Sequence, residues 1–325
     1  MVNRIVQKHR RQVRVESEPG RTSSQVPFAT DSKVWLLLTK SVNPSGFIRS
    51  QLTMTPDEEV SDFAGDVYRL ACLELRGGNR AAVYQAELPG LNAWISCRPL
   101  QPATRGGDLY YLSVCSHGSI SRITIADVAG HGEDVSALAE SLRDALREHA
   151  DDWDQSALIR RLNDSFLKVS VRGKYATALL LGHYVETGEL LFTNAGHLPP
   201  LWYRATLREW TFLQDATPYS KELADLPIGL IPGTDYTQTA VELEQDDLLL
   251  LYTDGINESC DESGEQLGLD RLLEIARRLP AGSASAAGEA LVSAVAAFRG
   301  STPSADDETV VALHRVPAVN RGVEQ

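Results

Sequence analysis

The chain has 325 residues and a formal net charge of −13, from 31 lysine and arginine against 44 aspartate and glutamate residues. This length is typical of two domains, or of one large domain with an extension. Hydrophobic residues at 43% and charged residues at 23% exclude a wholly disordered chain. The negative charge argues against nucleic acid as a partner, because phosphate backbones attract basic surfaces.

The sequence also argues against a membrane or zinc protein. No apolar run approaches the roughly 20 residues that a membrane-spanning helix needs, and the N-terminus lacks the apolar segment of a secretory signal. We therefore expect a cytoplasmic protein without membrane contact. The four cysteines are scattered and form no CxxC pair, and no nucleotide-binding glycine motif follows a strand. Any metal chemistry is therefore expected to use oxygen ligands.

Residues 1–84 are predicted to form an N-terminal extension. It begins with a flexible basic arm, followed by a candidate buried strand at Lys33–Lys40. A capping box then starts an amphipathic helix, whose apolar spacing runs from Pro56 to about Leu75. Gly77 and Gly78 are predicted to end this helix, and we place a domain boundary near residue 84.

Residues 85–316 are predicted to form one domain, with a tail at 317–325. Periodicity and turn signals predict strands at 94–97, 109–114 and 120–128, helices at 133–149 and 154–170, strands at 176–185, 189–194, 237–243 and 248–253, helices at 268–279 and 284–299, and a strand at 309–315. Short turns join consecutive strands, and the strands at 237–243 and 248–253 are expected to pair. The fold class is therefore α+β, with largely antiparallel sheets and helices on their outer faces.

Acidic residues recur where apolar strands meet glycine-containing turns. Asp108 follows two glycines, Asp127 ends a strand before a Gly-His-Gly turn, Asp254 precedes Gly255, and Asp306 and Asp307 precede the last strand. Each alone is ordinary turn chemistry. Together, carboxylates on rigid strand ends suit Mg²⁺ or Mn²⁺, and two such ions can activate water and hold a phosphoryl group.

Four segments carry motifs in a fixed order along the chain. They are IADVAGHG from Ile125, NAGHLPPL from Asn194, LYTDGINE from Leu251 and DDETVV from Asp306. Together they resemble the motifs of bacterial PPM-type (protein phosphatase 2C-like) serine/threonine phosphatases. They look most like the SpoIIE/RsbU branch, whose members dephosphorylate anti-anti-sigma factors in partner-switching pathways. GGDLYY from Gly106 resembles the GGDxYD segment of that branch, and the resemblance covers roughly residues 90–315.

The resemblance implies a four-layer α-β-β-α sandwich of two mostly antiparallel sheets, with two Mn²⁺ or Mg²⁺ ions at one edge. Asp127 would bridge both ions, and the Val128 carbonyl would bind one of them. Asp254 and Asp306 would complete the first ion site, while Asp108 would bind the second ion.

The resemblance also assigns roles to individual residues of the site. Asp306 is preferred over Asp307, because the family places its ligand three residues before the threonine of this motif. Asp127 and His131 would be the catalytic residues, with His131 near enough to shuttle a proton to the leaving oxygen. Arg105 is the candidate to contact the phosphate, although the branch has no dependable arginine for this. Tyr111 departs from the branch, which usually has a second aspartate there.

The implied activity is hydrolysis of a phosphoserine or phosphothreonine protein by metal-bound hydroxide. The implied substrate is a STAS-type anti-anti-sigma factor, and a homodimer is left open. Two alternatives remain: a catalytically weak pseudophosphatase that acts as a binding module, and a di-metal hydrolase of a small phosphate ester. The carboxylates favour an enzyme over a binding module, because converging negative charges are costly and a docking surface has no need of them.

Overall fold

The computed structural model describes residues 67–70, 75–115, 118–130, 133–150, 154–170, 173–213 and 225–317. All described residues belong to the second of the chain's two units, residues 62–325. The predicted basic arm, the strand at Lys33–Lys40 and the start of the helix predicted from Pro56 lie outside the described residues, as do His131 and the tail from 318.

The described residues form thirteen strands and five helices. The strands are β1 (Val67–Arg69), β2 (Leu75–Arg80), β3 (Ala82–Leu88), β4 (Leu91–Arg98), β5 (Arg105–Val114), β6 (Ile120–Val128), β7 (Ala176–Tyr184), β8 (Glu189–Ala195), β9 (Leu201–Arg204), β10 (Glu209–Phe212), β11 (Thr239–Glu242), β12 (Leu248–Tyr252) and β13 (Glu308–Arg315). The helices are α1 (Glu133–Glu148), α2 (Gln155–Val169), α3 (Asp254–Asn257), α4 (Gly268–Ala276) and α5 (Ala284–Arg299).

The strands form two sheets. The seven-stranded sheet has the order β1-β3-β4-β13-β12-β9-β10, and the six-stranded sheet has the order β11-β8-β7-β6-β5-β2. Among the described strands, β1 and β3 run parallel, and the other pairs are antiparallel. The predicted α+β class with largely antiparallel sheets is confirmed.

Apolar side chains form three layers of core. The inner core lies between the sheets and includes the fully buried Ile95, Ile123 and Val311. A second cluster joins the six-stranded sheet to α1 and α2, and a third joins the seven-stranded sheet to α4 and α5. Each long helix therefore buries one apolar stripe on the outside of a sheet. None of the helices in the described ranges is both long and apolar enough to cross a membrane.

The prediction of a helix that runs to Leu75 is wrong for the residues that the structure describes. Val67–Arg69 is strand β1, and the glycines expected to end the helix lie inside β2. Gly77 is needed there for a different reason, because a Cβ atom at this position would lie 2.5 Å from the Tyr110 carbonyl oxygen of the neighbouring strand. The boundary predicted near residue 84 falls inside β3. Strands β1 and β2, which precede it, belong to the same two sheets as the later strands.

The pairing predicted between residues 237–243 and 248–253 is also wrong. Strand β11 pairs with β8 in one sheet, while β12 lies between β13 and β9 in the other. All five side chains of Leu248–Tyr252 are buried, as expected for a central strand covered on both faces. Strand β11 is partly exposed and forms a sheet edge instead.

Candidate functional site

Strand pairing brings Asp108 and Asp127 together. Asp108 in β5 lies directly opposite Asp127 in β6, so both side chains project to the same face of the sheet. Tyr110 lies in the inner core, whereas Leu109 and Tyr111 pack in the outer cluster with α1. Because side chains alternate along a strand, Asp108 and Asp127 face the space between the sheets. Tyr111, at the position of the branch's second aspartate, faces the other way.

The seven-stranded sheet contributes two more carboxylates at the same edge. Asp254 begins α3 and is separated from β12 by Thr253, and Asp306 lies two residues before β13, which is the antiparallel neighbour of β12. The Thr253 N–H donates to the Thr309 carbonyl at 3.1 Å and ties these strand ends together. Asp254 is half-buried and Asp306 is exposed.

Two side-chain contacts join the sheets at this edge. The Thr253 hydroxyl donates to Asp108 Oδ2 at 2.7 Å. The Asp307 carboxylate accepts from the N–H groups of Leu100 and Gly107, both at 2.6 Å. Since Thr253 and Asp307 adjoin strands of one sheet and Asp108 and Gly107 belong to the other, all four predicted carboxylate ligands share one end of the sandwich.

These carboxyl groups raise one another's pKa values. Burial, and then the charges of Asp254 and Asp306, raise the pKa of Asp127 to about 7. Burial and the Asp306 charge raise the pKa of Asp254 to about 6. Burial and the Asp127 charge hold the pKa of Asp108 well above its usual value, while the hydrogen bond from Thr253 opposes this. A cluster of this kind is costly when ionised alone, and a divalent cation would neutralise it.

The donor atoms fit such a cation. A Cβ atom added at Gly107 would lie 2.7 Å from Val135 Cγ1 of α1 and 3.0 Å from the Val128 carbonyl oxygen. Glycine therefore lets β5 pass close to α1 and to this carbonyl. Carboxylate and carbonyl oxygens are the ligands that Mg²⁺ and Mn²⁺ prefer.

Asp306 and Asp307 have different surroundings. The Asp307 side chain is 7% exposed and both its oxygens accept backbone N–H groups, so it fastens the β4–β5 connection to the start of β13. A Cβ atom at Gly106 would collide with this carboxylate. The exposed Asp306 accepts the Asp307 N–H at 2.8 Å. This contrast agrees with the preference for Asp306 as the ligand, which stays a prediction.

The carboxylates share an edge without forming a compact ligand shell. In the part of the chain that the structure describes, no three acidic, histidine or cysteine side chains are close enough to hold one ion as a group. Arg105, the candidate phosphate contact, forms an ion pair with Glu140 of α1. The role of His131 stays a prediction, since that residue is outside the described ranges.

His197 lies in a turn directly after β8, and Thr177 lies in β7. The Asn194 side chain stabilises this turn, because it accepts the His197 N–H at 2.7 Å and donates to the His197 carbonyl at 2.9 Å. The imidazole has a further contact, with Nδ1 lying 2.8 Å from Thr177 Oγ1. Thr177 is directly opposite Asp127, so His197 supports the strand beside the central carboxylate. Burial lowers the pKa of His197 to about 4, which keeps the ring neutral near pH 7.

Two packed sheets between outer helices, with carboxylates at one edge, define a protein of the PP2C-like class. The SiaA-PP2C domain of Pseudomonas aeruginosa superposes with a TM-score of 0.58 at 21% identity, over 68% of this chain and 85% of that chain. RsbX, solved in complex with magnesium, gives a TM-score of 0.53 at 14% identity, over 72% of this chain and 99% of that chain. These likenesses confirm the predicted fold.

The sequence identifies the particular family. The family model described as stage II sporulation protein E (SpoIIE) matches residues 118–316, more than half of the chain. The chain belongs to the SpoIIE family. The phosphoserine phosphatase RsbU of Bacillus subtilis (strain 168) is 26% identical over 176 residues, which are 53% of this chain and 50% of RsbU. The match thus spans half the length of that relative, and the predicted SpoIIE/RsbU-like, PPM-type membership is confirmed.

Proposed function

We propose that the chain is a metal-dependent protein serine/threonine phosphatase, which dephosphorylates a STAS-type anti-anti-sigma factor in cytoplasmic partner-switching signalling. The observation that carries the proposal is that Asp108, Asp127, Asp254 and Asp306 lie at one edge of a PP2C-like sandwich. The similarity to RsbU, named a phosphoserine phosphatase, supports this class of substrate.

In this proposal two Mn²⁺ or Mg²⁺ ions would be held by five residues. Asp127 would contact both ions and the Val128 carbonyl one of them, while Asp254 and Asp306 would complete the first ion site and Asp108 would serve the second. When bound, the ions would lower the pKa of a water that attacks phosphorus and would neutralise the phosphoryl oxygens. The chain supplies strand ends that fix these oxygens in place, and it shields Asp108, which is 2% exposed.

Proton transfer to the leaving serine or threonine oxygen falls to His131 in this proposal. His197 is a poor candidate for the same role. Its ring is 5% exposed, its pKa is lowered to about 4 by burial, and Nδ1 is engaged with Thr177. A general acid needs a pKa nearer the working pH.

The test of function is Mn²⁺-dependent phosphate release from three substrates: a phosphorylated STAS protein, a phosphoserine peptide and free nucleotides. Release from the phosphoprotein that stops without Mn²⁺ supports the proposal. Release confined to nucleotides supports the small-ester hydrolase instead. Binding of the phosphoprotein without any release supports the pseudophosphatase.

Variants of the carboxylates test the site. Asp127→Ala and Asp254→Asn should each remove nearly all turnover and leave the fold intact, because each deletes an anionic ligand. Asp246→Asn is a matched control, since Asp246 is exposed in a turn with φ of 67°, a conformation that asparagine also adopts. It should keep wild-type turnover. Wild-type activity in either site variant would rule out the dinuclear assignment.

A further inference from the structure

Thr253 stands where a threonine hydroxyl ordinarily caps a helix. It is the N-cap residue of α3, with φ of −89° and ψ of 171°, yet its side chain makes no capping hydrogen bond. An N-cap threonine usually accepts the N–H two or three residues ahead. The residue is 0% exposed, so its hydroxyl has no water to use instead.

The hydroxyl is used in two long-range contacts. Thr253 Oγ1 accepts the backbone N–H of Thr309 at 3.0 Å and lies 2.7 Å from Asp108 Oδ2. A backbone N–H can only donate, and a hydroxyl has a single hydrogen. The Thr253 hydrogen is therefore directed at Asp108. This makes Oδ2 the acceptor, and the bond is charge-assisted when Asp108 is ionised.

This hydroxyl connects the elements that carry the candidate ligands. Asp108 belongs to β5 of the six-stranded sheet, while Asp254 is the next residue after Thr253 in the seven-stranded sheet. The bond to Thr309 also fixes the start of β13, just after Asp306. A shift of the hydroxyl would therefore change the distance between Asp108 and Asp254 as well as the direction of the Asp108 carboxylate.

We propose that Thr253 is a positioning residue for the metal site. Its hydroxyl holds the Asp108 carboxylate in the orientation that binds an ion beside Asp127, and it keeps that carboxylate at a fixed spacing from Asp254. The inference rests on the proposed function, because it takes Asp108 to be a ligand. Groups that orient metal ligands commonly contribute about 10–100-fold to metal affinity.

The experiment compares three substitutions in the full-length chain. Thr253→Val keeps the shape and removes the hydroxyl, Thr253→Ser keeps the hydroxyl and removes a methyl group, and Thr253→Ala removes both. Calorimetric titration with Mn²⁺ alone measures affinity, and thermal unfolding without metal measures stability. We expect the serine variant to bind Mn²⁺ like the wild type, and the valine and alanine variants to bind about 10–100-fold more weakly.

The outcomes separate positioning from packing. Serine and alanine differ by one oxygen atom, so this pair decides the matter even if the valine variant folds poorly. Wild-type Mn²⁺ affinity in the valine or alanine variant overturns the proposal. Equal losses in the serine and alanine variants also overturn it, because they would assign the effect to the methyl group.

A double-mutant cycle with Asp108→Asn tests the route of action. If Thr253 acts through Asp108, Thr253→Val should weaken Mn²⁺ binding no further in the Asp108→Asn background. An additive loss would contradict the inference while leaving Asp108 a ligand. Wild-type Mn²⁺ affinity in both Asp108→Asn and Asp127→Ala would instead show that these residues do not form a metal site, and it would refute the proposed function as well.

Discussion

Asp307 and Asp306 are neighbours whose loss should mainly affect different properties, stability for Asp307 and metal affinity for Asp306. The Asp307 carboxylate accepts two backbone N–H groups at 2.6 Å and is 7% exposed, so Asp307→Ala leaves both donors without this partner. Hydrogen bonds to charged groups contribute about 1.5–3 kcal/mol each, so the loss should be about 3–6 kcal/mol. In a domain of this size that lowers the unfolding temperature by roughly 6–24 °C.

Thermal unfolding and Mn²⁺ titration of each variant measure the two effects. Asp306→Ala should unfold near the wild-type temperature without metal and lose most of its Mn²⁺ affinity, because it removes an exposed carboxylate that the proposal makes a metal ligand. Asp307→Asn should resemble Asp307→Ala in stability, since its amide group would set an N–H donor against one of the two backbone donors. The reasoning is refuted if Asp307→Ala unfolds like the wild type, or if Asp307→Ala loses more Mn²⁺ affinity than Asp306→Ala.

Three further predictions concern the same edge. EDTA should abolish turnover and added Mn²⁺ should restore it, because the predicted ligands are all oxygen atoms; turnover that survives EDTA would contradict this. The rise in unfolding temperature caused by Mn²⁺ should grow from about pH 6 to pH 8, since protons compete with the ion at Asp254 and Asp127, whose pKa values are raised to about 6 and about 7. Without metal, these two carboxyls stabilise the fold when protonated and lose that contribution as the pH rises from about 4 toward 7, because their folded pKa values exceed the unfolded one; a pH-independent Mn²⁺ effect would refute both statements. Gly107→Ala should lower stability and Mn²⁺ affinity, because its Cβ would lie 2.7 Å from Val135 Cγ1 and 3.0 Å from the Val128 carbonyl oxygen, whereas Gly78→Ala, with nothing within 4 Å of the new Cβ, should leave Mn²⁺ affinity unchanged.

The local sequence pattern predicts a strand or helix correctly where the structure of that element does not depend on a distant partner. Ile120–Val128 was predicted with the bounds that the structure shows, because a long β-rich run ends in a glycine turn. Val67–Arg69 was mistaken for helix, since its apolar spacing fits a helical face equally well. Only its pairing with β3, more than ten residues away, makes it a strand. Periodicity carries no information about such a partner.

The candidate ligands could be predicted from their position at strand ends and from the family resemblance. The residues that hold them in place could not be predicted in this way. The register that sets Asp108 opposite Asp127 is a property of two paired strands and cannot be read from either one. Thr253 was missed for the same reason, because the partners of its hydroxyl lie 145 and 56 residues away along the chain. In the sequence it is only a polar residue between a strand and an aspartate.

The ligands and their supports are arranged in adjacent pairs. Asp254 follows Thr253, and Asp306 precedes Asp307; in each pair one residue joins the two sheets, and the other is a proposed metal ligand. Neighbouring residues at a strand end point in different directions, so one short segment can do both. If these residues bind the ions as proposed, metal binding and the closure of this edge are coupled through the backbone. A substitution of Thr253 or Asp307 that weakens its contact between the sheets should therefore reduce Mn²⁺ affinity, although neither residue is a proposed ligand. Mn²⁺ should in turn recover part of the stability that the substitution removes.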